Sequence, residues 1–204
     1  MPAYYANSVK AFLGDDPDRI NGILTDGSSQ QGFYQQLHSQ TKVWYDQIAL
    51  FKSAFLQLPI NDIQDWHILF EYPIPRRGKR VDAIILTKNI IIVIEVKGNQ
   101  QQFYKTDIAQ VEDYALDLRD FHLESKGFTI VPVLLATDAA VQGERQAKFD
   151  LEDDVKATVC TNNVMLAQDL VDINARYNVG CNVLHYENWN KSKYQPTPTI
   201  IANN

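Results

Sequence analysis

Asp82, Glu95 and Lys97 are the residues whose types and spacing could do chemistry. Asp82 stands in the run Arg-Val-Asp-Ala-Ile-Ile-Leu, and thirteen positions later Glu95 and Lys97 close the run Ile-Ile-Val-Ile-Glu-Val-Lys. A charge in a β-branched core strand must be paired, bound to a metal or neutralised by a shifted pKa. Three converging charges point to a metal site. Strand alternation puts Ile91, Val93, Glu95 and Lys97 on one face, and antiparallel pairing around Lys88 brings Asp82 to the Glu95-Lys97 end. The Asp82 and Glu95 carboxylates, the Val96 carbonyl and waters then make the oxygen set that suits Mg²⁺ or Mn²⁺. Such a set fits phosphodiester hydrolysis, in which a carboxylate-bound metal activates water and stabilises the leaving oxygen by Lewis acidity. Lys97 would position the water or stabilise developing charge. The competing reading is a structural Asp-Lys or Glu-Lys ion pair at a hairpin.

The flanking patterns name the elements that must hold these residues. Val81 to Leu86 and Ile90 to Val96 are β-branched runs joined by Thr87-Lys88-Asn89, the length and composition of a tight hairpin. Trp66 to Tyr72 reads as a strand stopped by Pro73 and Pro75. From Gln31 to Leu58 the residues Phe33, Leu37, Val43, Trp44, Ile48, Phe51, Phe55 and Leu56 recur at helical intervals. Thr106 to Phe121 is a second helix, with Thr106 as N-cap and Ile108, Val111, Ala115, Leu116 and Leu118 as its apolar side. Gln110 and Tyr114, four apart, share one face of it. With Asp107 and Asp113 nearby, the pair in isolation reads as a solvated face; because the helix follows the Glu95-Lys97 strand directly it is expected to pack beside it, where an amide and a phenol can bond the site backbone or a phosphate. Phe128 to Ala136 is a buried strand reached by a parallel crossover, Ala157 to Cys160 a short strand and Asn163 to Tyr177 a helix. The expected fold is an α/β sandwich.

Composition bounds the rest. The chain has 204 residues, 45% hydrophobic and 22% charged, which is ordinary for one globular core. No apolar run has the length of a membrane helix, and the N-terminus lacks a signal peptide's regions, so a cytoplasmic protein with no membrane partner is expected. Cys160 and Cys181 have no metal spacing and read as structural thiols. A net charge of -6 argues against coating nucleic acid by bulk attraction. It leaves room for one local strip, Arg76, Arg77, Lys79 and Arg80, which is either a solvated turn or a phosphate-positioning element. His67 and His122 have no partner nucleophile motif, and Trp44 and Trp66 read as core anchors.

Asp82, Glu95-Val96-Lys97 and Gln110-Val-Glu-Asp-Tyr114, in that order and spacing, resemble the PD-(D/E)xK nuclease superfamily, in particular its RecB-like branch with a Gln-x-x-x-Tyr helix. The resemblance covers about residues 34 to 137. It implies a restriction-endonuclease-like central mixed β-sheet flanked by helices, a Mg²⁺ or Mn²⁺ cofactor, and hydrolysis of nucleic acid, with DNA ahead of RNA. Glu71-Tyr-Pro-Ile-Pro-Arg-Arg-Gly-Lys-Arg-Val-Asp82 and the ending Tyr194-Gln-Pro-Thr-Pro-Thr-Ile-Ile are also similar to a bacterial family in which such a domain precedes a helicase-like, Schlafen-related P-loop ATPase. That implies a lead-in at 1–30, a nuclease-like domain at 31–180 and an extension at 181–204 toward a downstream ATPase partner. No GxxxxGK[ST] occurs here.

The chain departs from the superfamily pattern in two places. Val81 stands where the motif has proline, and Gln47 stands where an acidic residue of the first long helix often completes the site. Glu71 is a second accessory candidate. A module of the same fold that binds nucleic acid or a partner without cutting is therefore the alternative function.

Overall fold

The structure, a computed structural model, describes residues 2–29, 37–75, 78–140, 150–179 and 182–195. Its α/β fold is a mixed six-stranded sheet between two layers of helices. The strands, in chain order, are β1 Tyr5–Ser8, β2 His67–Ile74, β3 Lys79–Leu86, β4 Ile90–Lys97, β5 Thr129–Ala136 and β6 Val159–Thr161. They lie side by side in that order, antiparallel from β1 to β4 and parallel from β4 to β6. The expected hairpin joins β3 to β4. Its turn is closed by Thr87, whose N–H reaches the Ile90 carbonyl at 3.0 Å and whose hydroxyl accepts the Ile90 N–H at 3.1 Å.

The helices are α1 Val9–Gly14, α2 Pro17–Ser29, α3 Leu37–Leu56, α4 Ile60–Ile63, α5 Lys105–Phe121, α6 Leu166–Tyr177 and α7 Tyr186–Asn190. α5 makes the expected crossover between the parallel pair β4 and β5. One core joins α1, α2, α3 and α6 to the sheet through Phe12, Leu24, Trp44, Phe51, Phe70 and Ile92. The other joins α5 and α7 to the opposite face through Val111, Leu118, Trp189, Ile84 and Val93. β4 is buried on both faces, which is why its sequence is an unbroken apolar run up to Glu95. Each fully buried aliphatic there contributes about 1.5–3 kcal/mol by leaving water.

The sheet has one defect, and it positions the site. Leu69 and Tyr72 pack in the same core although strict alternation would oppose them, and Val81 and Ile84 do likewise. The irregular positions between them are Glu71 and Asp82. The β2–β3 ladder pairs Phe70 with Ala83 and Tyr72 with Val81, skipping both, and Glu71 has φ 55. A left-handed backbone at a buried non-glycine costs about 1–3 kcal/mol and persists only where surroundings hold it. The β3–β4 ladder likewise stops at Ala83–Ile94, one step before Asp82 and Glu95.

Several boundaries differ from the sequence reading for local reasons. Pro73 does not stop β2, which runs on to Ile74; Pro73 pairs with Arg80 in the register of β3. α5 is capped by Tyr104 rather than Thr106, with no side-chain cap bond. Val43 and Leu56 of α3 are exposed, so its apolar stripe is narrower than the periodicity suggested. Phe33 lies outside the described residues. β6 starts at Val159 and α6 at Leu166, each later than the expected Ala157 and Asn163. The N-terminal stretch, expected as a lead-in, forms α1 and α2 and contributes β1 to the sheet edge. Residues 182–195, read as an extension, pack on the sheet: Trp189 is fully buried against Tyr72 and His122.

Candidate active site

Where the sheet ladders part, side chains take over the backbone bonds. Asp82 Oδ2 accepts the Val96 N–H at 2.8 Å, tying β3 to β4 in place of the missing ladder bond. Glu95, on the next strand, is buried, and its Oε1 accepts from Lys97 Nζ at 2.9 Å and from Gln110 Nε2 at 2.8 Å. With two donors on Oε1, Oε2 is buried with no hydrogen-bond partner among the described residues. A buried carboxylate oxygen without a donor is costly, which makes it an opening for a cation.

α5 supplies the other wall. Its face Asp107, Gln110 and Tyr114 sits at i, i+3 and i+7, and all three join the network. Gln110 also accepts from Lys97 at 3.3 Å and donates to the Tyr114 hydroxyl at 2.9 Å, while Asp107 lies 3.5 Å from Lys97. Tyr114 is 2% exposed, so its hydroxyl orients Gln110 from inside the core. Asp107 was missed from sequence as a solvated helix residue; its spacing from Gln110 was the available signal.

The electrostatics follow from crowding. Burial, then the charges of Glu95 and Glu71, push the Asp82 carboxyl well above the usual carboxylate range, against the Val96 N–H. Burial also raises Glu95, against the hydrogen bond and charge of Lys97. Burial opposes the Lys97 ammonium, but the Glu95 hydrogen bond and charge, with Asp107 and Asp82, hold its pKa above the usual lysine range. Burial pushes the Tyr114 phenol up to about 12, against its bond with Gln110.

Glu71 sits behind Asp82. Trp44 Nε1 donates to its Oε1 at 2.8 Å and Arg80 Nε to its Oε2 at 2.6 Å, so both oxygens are engaged and the strained turn is clamped from α3 and β3. Trp44 is thus more than a core anchor. Arg80 turns inward to Glu71 and stacks over Tyr4 at 5.2 Å. Of the basic strip, Lys79 is exposed, and Arg76 and Arg77 lie outside the described residues.

Gln47 projects from α3 to the other side of the β4 end. It lines a pocket of about 330 Å³ together with Val43, Asp46, Val96, Lys97 and Asn99. It is 4% exposed and its Oε1 has no hydrogen-bond partner among the described residues. Asp46, the residue before it, shares this pocket wall. Among the described residues no three or more His, Cys, Asp or Glu side chains converge as a metal cluster. The oxygens here that could hold a hard cation with several waters are those of the Asp82 and Glu95 carboxylates and the Val96 carbonyl.

A model of the nuclease-related domain family, NERD, matches residues 43–133. The interval runs from α3 into β5 and contains Asp82, Glu95, Lys97, Gln110 and Tyr114. This similarity to nuclease-related domains is consistent with the PD-(D/E)xK-like arrangement of the strands and helix around the site. No curated protein matches the chain. The NERD-matched interval leaves out β1, β6 and α7, although all three pack on the same sheet. Among the described residues no helix is long and apolar enough to cross a membrane.

The remaining candidates have structural roles. His122 is fully buried, bonded to the Tyr72 hydroxyl at 2.9 Å and Ser125 Oγ at 2.7 Å. His67 stacks on Tyr186 at 4.1 Å. Cys160 is half-buried, and burial pushes its thiol up to about 11. Cys181 lies outside the described residues.

Proposed function

We propose that this chain is a Mg²⁺- or Mn²⁺-dependent nuclease domain that hydrolyses phosphodiester bonds of nucleic acid, DNA ahead of RNA. The observation that carries the reading is the partnerless Glu95 Oε2, one step past the end of the β3–β4 ladder, where the Asp82 bond to the Val96 N–H replaces the ladder. Asp82, Glu95 and the Val96 carbonyl would hold the cation, and its chemistry when bound is Lewis acidity toward water and the leaving oxygen. Lys97 supplies a fixed positive charge at the attacked phosphate. Gln110 holds Lys97 and Glu95 in one geometry, and Tyr114 holds Gln110. Glu71, clamped by Trp44 and Arg80, fixes the backbone that presents Asp82.

The test is cleavage of labelled single- and double-stranded DNA and RNA with each metal. Asp82→Ala, Glu95→Ala and Lys97→Ala are expected to lower the rate by about a hundredfold or more while circular dichroism stays native. Absence of cleavage by the parent on every substrate would count against the reading. Gln47, a neutral amide where an acid often stands, favours a second reading as a binding module. Its mark is nucleic-acid binding that survives Asp82→Ala in a parent that cuts nothing. Attachment to a helicase-like ATPase remains part of the proposal on sequence resemblance alone.

A further inference from the structure

The pocket on the α3 side of β4 is not used by the chemistry above. Its shared wall with the site is the Val96-Lys97 segment: the Val96 N–H serves Asp82 and the Lys97 ammonium serves Glu95, while the same two residues line the pocket. An occupant would lie one peptide away from the candidate reacting centre. At about 330 Å³ the pocket is at the small end of ligand sites, which run roughly 300–1,000 Å³.

Its lining is part apolar and part polar. Val43, Leu50 and Val96 supply apolar surface, and the Asp46 carboxylate, the Gln47 and Asn99 amides and the Thr137 hydroxyl supply polar groups. Gln47 Oε1 is buried and lacks a donor. The cation in the wall, Lys97, is already bonded to Glu95 and Gln110. A phosphate there would meet the Asp46 carboxylate and the buried, donorless Gln47 oxygen, so a phosphate is the wrong occupant. A flat group with apolar faces and an N–H edge is the right one.

We propose that this pocket receives an unpaired, amino-bearing nucleobase next to the phosphate that is cut, with Gln47 Oε1 accepting from its exocyclic amine. Adenine and cytosine present such an amine on the edge that pairing would occupy. Bases taken out of a stack are read by hydrogen bonds to that edge. The substrate class that follows is single-stranded or frayed nucleic acid. This inference rests on the nucleic-acid reading of the neighbouring site and not on cleavage itself.

The experiment is fluorescence anisotropy with the full chain, in chelator so that nothing is cut, using labelled oligo-dA, oligo-dC, oligo-dT and a blunt duplex. The expected order places dA and dC about tenfold tighter than dT and the duplex, the scale of one buried acceptor left unmet. Gln47→Leu removes that preference, and Val43→Trp, a change at an exposed position on the pocket rim, weakens dA and dC binding without entering the core. Gln47→Glu keeps an acceptor and should retain it, which covers failure of the leucine variant to fold. Equal binding of all four probes, or unchanged preference in both Gln47→Leu and Val43→Trp, overturns the pocket. A chain that shows the base preference yet never cuts supports the pocket while refuting the nuclease reading.

Discussion

Glu95 has its two oxygens in different circumstances, one holding two donors and the other none. This asymmetry is imposed by Gln110, whose amide donates to Glu95 and Tyr114 and accepts from Lys97. Removing a partner that orients a ligand typically costs about 10–100-fold in metal affinity or activity. Gln110→Ala should fall in that range in Mn²⁺-dependent cleavage, with Tyr114→Phe losing less because Gln110 keeps its other bonds; steady-state rates check both. Sequence was informative here because charge in an apolar strand is rare enough to be noticed, and Asp82, Glu95, Lys97, Gln110 and Tyr114 could all be picked out. It was less informative for Arg80, Trp44 and Asp107. Whether a basic turn residue faces phosphate or a buried Glu71 depends on a backbone irregularity that no local pattern announces.

At the scale of elements, the hairpin, the crossover helix and the parallel strand were legible because β4 and β5 are uniformly apolar and α5 has a clear period. β1 and α7 were not, being four and five residues long and lying far in sequence from the strands and helices they pack on. α7 nevertheless carries a fully buried tryptophan. Trp189→Ala is expected to lower stability by about 3–5 kcal/mol in urea titration, the range for emptying an aromatic core site. The same cluster predicts a pH effect. Burial pushes the His122 imidazole at the end of α5 down to about 4, from an ordinary 6.5. The folded state therefore holds the neutral form. Its contribution is complete above about pH 6.5 and is lost as pH falls toward 4, by at most about 3 kcal/mol. Urea midpoints for wild type and His122→Gln at pH 7 and 4.5 check this: the variant should change less between them.

For the whole molecule, with a net charge of -6, the task is to hold a crowded group of carboxylates together at the ends of β3 and β4. The two helix layers serve different ends of that task. α5 orders the Glu95 and Lys97 side, and α3 holds Glu71 and forms the neighbouring pocket. The NERD-matched interval includes residues of both layers, α3 and α5. The proposed function stands on a divalent cation held jointly by Asp82 and Glu95. Its most direct test is anomalous diffraction from crystals of the chain soaked in Mn²⁺. A single strong peak is expected between the Asp82 and Glu95 carboxylates, in contact with the Val96 carbonyl. Manganese bound elsewhere, with Lys97 still bridging to an unliganded Glu95, would contradict it.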